Sequence, residues 1–139
     1  MRVIICGPRP PLAIRTNPEA LDKWYAEHAH YVGEAVVQAM GRGIVLEITE
    51  EICGKAQGFD TLGECWARRE HIPVKPFPAN WKKFGLGAGK IRNCEMGDYA
   101  EALIALVATP PTRGTAHMVD YMKSLGKPVY EHRLPEGVA

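Results

Sequence analysis

The sequence predicts a single α/β domain with a Rossmann-like parallel sheet and helices on both of its faces. Short apolar, β-branched runs alternate with longer segments of helical periodicity. The connections between them are short and rich in glycine, which favours a parallel sheet. A chain of 139 residues is long enough for one substantial core. We place this domain at residues 1–133 and expect a flexible C-terminal tail at residues 134–139.

The first part of the chain predicts a buried strand followed by a long helix. Residues 2–6 (RVIIC) form an apolar run without a polar break, which is typical of a strand buried on both faces. A helix is predicted over residues 17–40, with Asn17 at its start and the sequence GRG after its end. The next strand is predicted over residues 44–48 (IVLEI), and its extension as far as Cys53 is left open.

The remaining segments continue the same alternation. They are a helix from Asp60 or Thr61 to about Glu70, a short strand over 72–77, a helix over 89–99, a strand over 102–108, a helix over 115–125 and a strand over 128–132. The prolines of 72–77 cannot donate to a ladder, so this strand is expected at an edge. Residues 102–108 (ALIALVA) form the most apolar run and predict a central strand.

Composition and charge exclude several classes of function. A formal net charge of +1 makes a nucleic-acid partner unfavourable, and no apolar run is long enough for a membrane span. Without a signal peptide, the protein is expected to be cytoplasmic. The four cysteines are widely spaced and form no CxxC pair, so we expect reduced, buried thiols, no metal site and no cofactor.

Four predicted loops leave the carboxyl ends of the strands, where an open α/β sheet binds its ligands. They are GPRP (7–10), GKAQGFD (54–60), PANWKKFGLGAGKIRN (78–93) and PPTRGT (110–115). Three of them lead directly into a helix, whose first N–H groups favour a phosphate or a carboxylate. A nucleotide-sized ligand that carries phosphate fits this pattern.

The second and third loops contain residues with more than one interpretation. Arg92 follows Gly89 by one helical turn, and it either pairs with a phosphate or is a solvated surface arginine. Asn93 either bonds a ribose hydroxyl or caps the backbone. Asp60 takes a ribose diol, caps its helix, or does both. No Ser or Cys nucleophile stands at a fixed spacing from His117, so this residue is not assigned a catalytic role.

The last loop and the long loop before it offer further candidates. Arg113, Gly114 and Thr115 supply a cation, an open backbone and a hydroxyl at a helix start. They form either a phosphate cradle or a simple turn into the helix. Trp81 and Phe84 either stack on a base or pack the long loop against the domain.

Two stretches of the sequence resemble the cpYpsA-related, YspA-like branch of the SLOG superfamily. The first is CGKAQGFDTLGECWARREHIPVKPFPANWKKFGLGAGKIRNCEM, and the second is ALIALVATPPTRGTAHMVDYMKSLGKPV. That branch carries GGARGAD, FPADW, G-x-x-RN-x-x-M and GGxGTxxM in the same order. The resemblance implies a Rossmann-like fold with a nucleotide pocket at the strand ends.

The resemblance also points to individual binding residues. The positions that match the family are Gly54, Gly58, Asp60, Gly89, Arg92, Asn93, Gly114 and Thr115. Together with Gln57 and Arg113, they form the expected ligand-binding set. Lys55 and Gln57 stand where the family usually has a glycine and an arginine, so the loop over 54–60 departs from the family pattern.

More distant relatives, the Lonely Guy phosphoribohydrolases, carry a glutamate just after the Gly-Thr of the last loop. Here Ala116 and His117 follow Thr115, and the missing acid argues against that reaction. We therefore expect a sensor or sequestering protein for a nucleotide or an ADP-ribose derivative, linear or cyclic. A viral protein that removes an immune signal, as in phage anti-defence, is one form of this. The alternative is a nucleotide-processing hydrolase.

The predicted helix over residues 17–40 has an apolar face that contains tryptophan and tyrosine. This face fits either the core or a second subunit, so a homo-oligomer is an open expectation.

Overall fold

The computed structural model describes residues 1–138, and it shows a five-stranded sheet in which every pair of neighbours is parallel. The strands are β1 (Arg2–Cys6), β2 (Glu50–Cys53), β3 (Val74–Pro76), β4 (Ala102–Val107) and β5 (Val129–Arg133). Their order in the sheet is β3-β2-β1-β4-β5. The predicted Rossmann-like α/β class is confirmed.

Helices cover both faces of this sheet. They are α1 (Leu12–Arg15), α2 (Pro18–His28), α3 (His30–Gly41), α4 (Phe59–Arg69), α5 (Trp81–Phe84), α6 (Ala88–Tyr99) and α7 (Arg113–Ser124), with a 3₁₀ turn at Gly85–Gly87. One core contains Trp24, Val32 and Leu62 from α2, α3 and α4. The core on the opposite face contains Met96 and Met118 from α6 and α7.

The side chains of β1 alternate between these two cores. Val3 and Ile5 belong to the core under α2, α3 and α4, whereas Ile4 and Cys6 belong to the core under α6 and α7. β4 alternates in the same way, and all six of its residues are buried. These two neighbouring strands are therefore the rigid centre of the domain.

The strand order reverses between β1 and β4. From β1 the chain moves outward through β2 to β3, and it then returns to the other side of β1 to form β4 and β5. The connections above β1 and β4 consequently run to opposite faces of the sheet. Such a switch point opens a crevice at the carboxyl ends of the strands.

Several local predictions agree with the structure. The Asn17 side chain accepts hydrogen bonds from the N–H groups of Glu19 (3.1 Å) and Ala20 (3.2 Å), so it is the N-cap of α2. β3 lies at an edge of the sheet. Gly126 follows the end of α7 with φ of +69°, a conformation that favours glycine.

The strand predicted over residues 44–48 is wrong. This segment is irregular, and the strand is formed by Glu50–Cys53 instead. The N–H groups of Ile44 (3.0 Å) and Val45 (3.3 Å) both donate to Ala39 O, so they complete the end of α3 rather than a ladder. The apolar run fills the core through Val45 and Ile48, and burial without a ladder produces the same sequence pattern as a strand.

The single helix predicted over residues 17–40 is divided in two. α2 ends at His28 and α3 begins at His30. At the junction Val32 N–H donates to Ala29 O (3.2 Å), a tighter spacing than in an α-helix. Ala29 keeps helical dihedral angles of −56° and −36°, so hydrophobic periodicity could not reveal the break.

Other differences concern helix starts and unpredicted turns. Asp60 lies in the first turn of α4 and is not its N-cap, which is Gly58. α7 begins at Arg113, two residues before the predicted start. The short helices α1 and α5 lie in segments that were predicted as loops. Cys65 is exposed, contrary to the prediction of a buried thiol.

Residues after β5 remain in contact with the domain as far as the structure describes them. Leu134 is buried, and its N–H donates to Val107 O (2.9 Å). The tail predicted over 134–139 also includes Ala139, which lies outside the described residues.

Within residues 1–138, no helix combines the length and the apolar character that a membrane crossing requires.

One charged residue of the sheet is fully buried. Glu51 of β2 has no solvent exposure, and neither of its carboxylate oxygens makes a hydrogen bond of normal geometry with the described residues. Burial raises the pKa of Glu51 to about 9, and the neighbouring Asp60 and Glu64 carboxylates act in the same direction. The folded protein therefore keeps this carboxyl protonated at neutral pH.

This carboxyl should make the stability of the protein depend on pH. The unfolded chain loses the proton near 4.5 and the folded protein only near 9, so folding binds a proton between these values. The free energy of unfolding should fall as the pH rises through that window. We expect Glu51→Gln to flatten the fall between about pH 7 and 8, by up to about 1.4 kcal/mol per pH unit.

Urea unfolding at several pH values measures this slope. Glu47→Gln, which changes an exposed carboxylate of the preceding segment, is the matched control and should leave the slope as it is. An equal slope in wild type and Glu51→Gln would show that Glu51 does not retain its proton.

Candidate functional site

A cavity of about 530 Å³ opens at the carboxyl ends of β1 and β4, at the switch point of the sheet. Its walls are the segment after β1, the first half of α6 and the first turn of α7. Seven of the predicted binding residues line it: Asp60, Gly89, Arg92, Asn93, Arg113, Gly114 and Thr115. The structure therefore brings residues from three predicted loops into one site.

A smaller cavity of about 200 Å³ adjoins the first. Two further predicted residues, Gly54 and Gln57, line it. Arg9, Trp81 and Arg92 line both cavities, so the two form one continuous depression. Gly58 is the one predicted residue that lines neither of them.

The main cavity has a strong excess of positive charge. Its lining includes five basic side chains, namely Arg9, Arg15, Lys90, Arg92 and Arg113. Asp60 is the one carboxylate among the described residues of the lining. Since the net charge of the whole chain is only +1, this excess is local, and it attracts an anionic ligand.

Arg92 connects the walls of the cavity. Its Nη1 donates to the carbonyl oxygen of Gly54, at the end of β2, and its Nε donates to Oδ1 of Asn93 at 3.0 Å. A guanidinium has five N–H donors, so three remain for a ligand. Arg92 thus has a structural role in addition to the predicted anion contact.

Asn93 is buried, and its amide is bonded to other parts of the protein. Oδ1 accepts from Arg92, while Nδ2 lies 3.4 Å from Gly114 O and 3.1 Å from Nδ1 of His117. The amide therefore joins α6 to the first turn of α7. Of the two predicted roles, contact with a ribose and satisfaction of the backbone, the bond to Gly114 O fits the second.

Asp60 lies at the floor of the cavity. Its Oδ2 accepts the N–H of Ala56 at 3.2 Å, which closes the loop before α4. Burial raises the pKa of Asp60 to about 6, while the positive charges of Arg92 and Arg9 and the bond from Ala56 oppose that rise. The carboxyl is consequently ionised in most molecules at neutral pH.

Gly54 brings the backbone of the loop close to the ends of the Asp60 and Arg92 side chains. A Cβ atom on Gly54 would lie 2.8 Å from Oδ2 of Asp60 and 2.9 Å from Nη1 of Arg92. Both distances are shorter than side chains tolerate. The absence of a side chain here lets both charged groups approach the backbone of the loop.

Gly58 does not line either cavity, but its backbone contacts the segment after β1. It has φ of +94°, and a Cβ atom there would lie 2.6 Å from Pro8 O. Its N–H donates to the Tyr25 hydroxyl at 3.1 Å, and the next N–H, of Phe59, donates to Pro8 O at 3.3 Å. Gly58 therefore holds the segment after β1 against the start of α4.

The start of α7 is open for an anion. Thr112 makes no side-chain cap, and its hydroxyl donates to the Thr115 hydroxyl at 3.0 Å. The first N–H groups of α7, which begin at Arg113, lack intrahelical partners and lie at the cavity. The start of α6 differs, since a 3₁₀ turn leads directly into it and Ala88 N–H donates to Gly85 O.

The two aromatic candidates, Trp81 and Phe84, differ in whether they line the cavities. Trp81 is 57% exposed, lines both cavities and lies 3.5 Å from the point where a Cβ atom on Gly89 would stand. Phe84 lines neither cavity. Trp81 is therefore the aromatic residue that is placed to stack on a ligand.

Among the lining residues outside the predicted set are three basic residues and one histidine: Arg9, Arg15, Lys90 and His117. Arg9 stands between two prolines directly after a buried strand, and that position was a usable signal. Arg15 gave no such signal, because the short helix α1 carries it back to the cavity. Lys90 lies in the predicted loop over 78–93 and His117 in the predicted helix over 115–125, but their charge and spacing did not distinguish them.

The thiols near the site are poor nucleophiles. Burial raises the pKa values of Cys6 and Cys53 well above the usual range, so both remain protonated at neutral pH. In residues 1–138 no three His, Cys, Asp or Glu side chains form a group that could hold a metal ion.

Comparison with known families identifies a match over the first part of the chain. The model of a family described as YspA, cpYpsA-related SLOG family matches residues 1–84, which is more than half of the chain. The matched region contains β1 and the loop before α4, and it ends before α6. A search of curated proteins finds no match.

The steric position of Gly54 gives a direct test of the site's architecture. We expect Gly54→Ala to lower the free energy of unfolding by roughly 1–3 kcal/mol, because the new methyl group must push Asp60 or Arg92 away. Gly114→Ala is the control, since nothing lies within 4 Å of its added Cβ. That variant should change stability by less than about 1 kcal/mol, in the stabilising direction. Urea unfolding of both variants measures the difference, and equal losses would contradict the assignment.

Proposed function

The chain belongs to the YspA, cpYpsA-related SLOG family, and on that premise we propose that it binds a phosphorylated nucleotide or an ADP-ribose derivative, linear or cyclic. The ligand would lie in the cavity at the carboxyl ends of β1 and β4. The protein would act as a sensor of such a signalling molecule or would sequester it.

The charge of the cavity carries this proposal. Five basic side chains line it against one carboxylate, and the open start of α7 faces the same space. Arg113 and the first N–H groups of α7 provide a cation and backbone donors for one phosphate. The free N–H groups of Arg92, together with Arg9, provide donors for a second phosphate.

The remaining features of the cavity suit a nucleoside. Its volume of about 530 Å³ lies within the range of small-molecule sites. Trp81 offers an exposed ring for stacking on a base, and the ionised Asp60 carboxylate can accept hydrogen bonds from a ribose diol. The cavity thus offers an aromatic contact and a hydrogen-bond acceptor in addition to its basic groups.

A hydrolase is the second candidate, and one observation favours it. Asp60 is a buried carboxyl with a pKa of about 6, which is the kind of perturbed group that catalytic sites use. Cleavage of a glycosidic bond commonly uses two carboxyl groups, whereas Asp60 stands alone in the described lining. Binding without cleavage is therefore the proposal.

Titration calorimetry with AMP, ADP, ATP and ADP-ribose tests the binding role. We expect Arg113→Ala and Arg9→Ala each to weaken the tightest of these ligands by about tenfold, because each removes a charge-assisted hydrogen bond. Arg69→Ala is the matched control, since Arg69 is exposed in the last turn of α4 and lines neither cavity. It should leave the dissociation constant unchanged.

Two outcomes would contradict the proposal. One is the absence of binding for all four compounds, and the other is an equal loss in Arg69→Ala. Chromatography of the compounds after incubation with the protein decides between binding and hydrolysis. Intact ligand at protein stoichiometry supports binding, and turnover of excess ligand supports the hydrolase.

A further inference from the structure

We propose that Asn93 fixes the imidazole of His117 as a neutral tautomer with its proton on Nε2, so that His117 gives the cavity a hydrogen-bond donor and not a base. Asn93 is then a positioning residue that acts through His117. The tautomer follows from contacts within the protein alone. Its use in recognition rests on the proposed function.

The orientation of the Asn93 amide is determined by two partners whose roles are unambiguous. Nε of Arg92 can only donate, so the amide atom 3.0 Å from it must be the oxygen Oδ1. Gly114 O can only accept, so the atom 3.4 Å from it must be the nitrogen Nδ2. A flipped amide would place two donors against each other at Arg92 and two acceptors against each other at Gly114.

This orientation dictates the protonation of the histidine ring. Nδ2 of Asn93 lies 3.1 Å from Nδ1 of His117, and an amide NH₂ can only donate. Nδ1 must therefore carry a lone pair, and the proton of the neutral ring is on Nε2. Protonation of Nδ1 would bring two N–H groups together, so the same contact opposes the cationic form.

The charged groups around the ring favour the same state. Burial and the nearby Lys90 of α6 lower the pKa of His117, while Asp120 of α7 acts weakly in the opposite direction. The ring is therefore neutral at pH 7. The cavity also contains four arginines and one lysine, which are positively charged at this pH. His117 differs from them because it is an uncharged hydrogen-bond donor.

The Nε2–H group has no hydrogen-bond partner among residues 1–138, although His117 lines the cavity. It can donate to an acceptor of the bound molecule, such as a phosphate oxygen, a ribose hydroxyl or a base carbonyl. It cannot remove a proton from water or from a ligand, because the lone pair of the ring is occupied by Asn93. This arrangement suits recognition better than general-base catalysis.

Nitrogen-15 NMR of the unliganded protein tests the tautomer. The spectrum should show a pyridine-like shift at Nδ1 and a pyrrole-like shift at Nε2 of His117, without the averaging seen in a short histidine peptide as reference. His30, an exposed histidine of α3, is the internal comparison. A pyrrole-like Nδ1 or a fully averaged spectrum for His117 overturns the proposal.

Asn93→Asp tests whether Asn93 imposes the tautomer. A carboxylate at this position accepts a hydrogen bond, so it should move the proton to Nδ1 or produce the doubly protonated ring. Unchanged nitrogen shifts in a folded Asn93→Asp protein would overturn the role of Asn93. The wild-type spectrum remains decisive if this variant does not fold.

The donor role is tested with ADP-ribose and ATP as probes. His117→Gln retains an N–H donor near the position of Nε2, and we expect it to bind the tighter probe within about twofold of wild type. His117→Leu removes the donor and should weaken binding by about tenfold. Equal losses in both variants, or none in either, would overturn the donor role.

Failure of the proposed function gives a different pattern from failure of this inference. If neither probe binds to wild type while the nitrogen shifts agree, the ligand class is wrong and the tautomer assignment stands. If the probes bind but the nitrogen shifts differ from those expected, the tautomer assignment is wrong and the ligand class stands.

Discussion

The site depends on the guanidinium of Arg92 more than on any other group. It donates to the carbonyl of Gly54 and to the amide of Asn93, and that amide continues to Gly114 and His117. One side chain of α6 thus ties the loop after β2 to the first turn of α7. Because a guanidinium stays charged, its bonds to Gly54 and Asn93 are charge-assisted at every physiological pH. With the neutral contacts of the Asn93 amide, they hold the loop after β2, α6 and the start of α7 in one arrangement.

The order of the strands explains why these loops meet. β1 and β4 are adjacent in space although about a hundred residues separate them in the chain. The chain after β1 and the chain after β4 run to opposite faces, so the segment that leads to α1 and the start of α7 lie on either side of the same crevice. The fully apolar β4 and the mostly buried β1 anchor this arrangement, because any shift of one against the other would remove side chains from both cores.

The electrostatics of the cavity are the main support for the proposal of an anionic ligand. The basic groups are spread around the walls, while Asp60, the carboxylate that the described lining contains, is held between Arg92 and the loop before α4. Asn93 would serve by orienting His117, which makes the pocket a set of donors. Donors arranged before binding reduce the cost of ordering the site around a phosphorylated ligand.

The sequence by itself determined the fold class, most helix and strand positions and seven residues of the cavity, because these follow from local apolar patterns, helix starts and a family resemblance. It was wrong where burial imitates a ladder, at residues 44–48, and it could not reveal the break at Ala29, which keeps helical dihedral angles. The tertiary structure alone added Arg15 to the cavity and joined Asn93 to His117. The physical reason is that such contacts are made between elements far apart in the chain, so their geometry is set by how helices pack on the sheet and leaves no trace in local spacing.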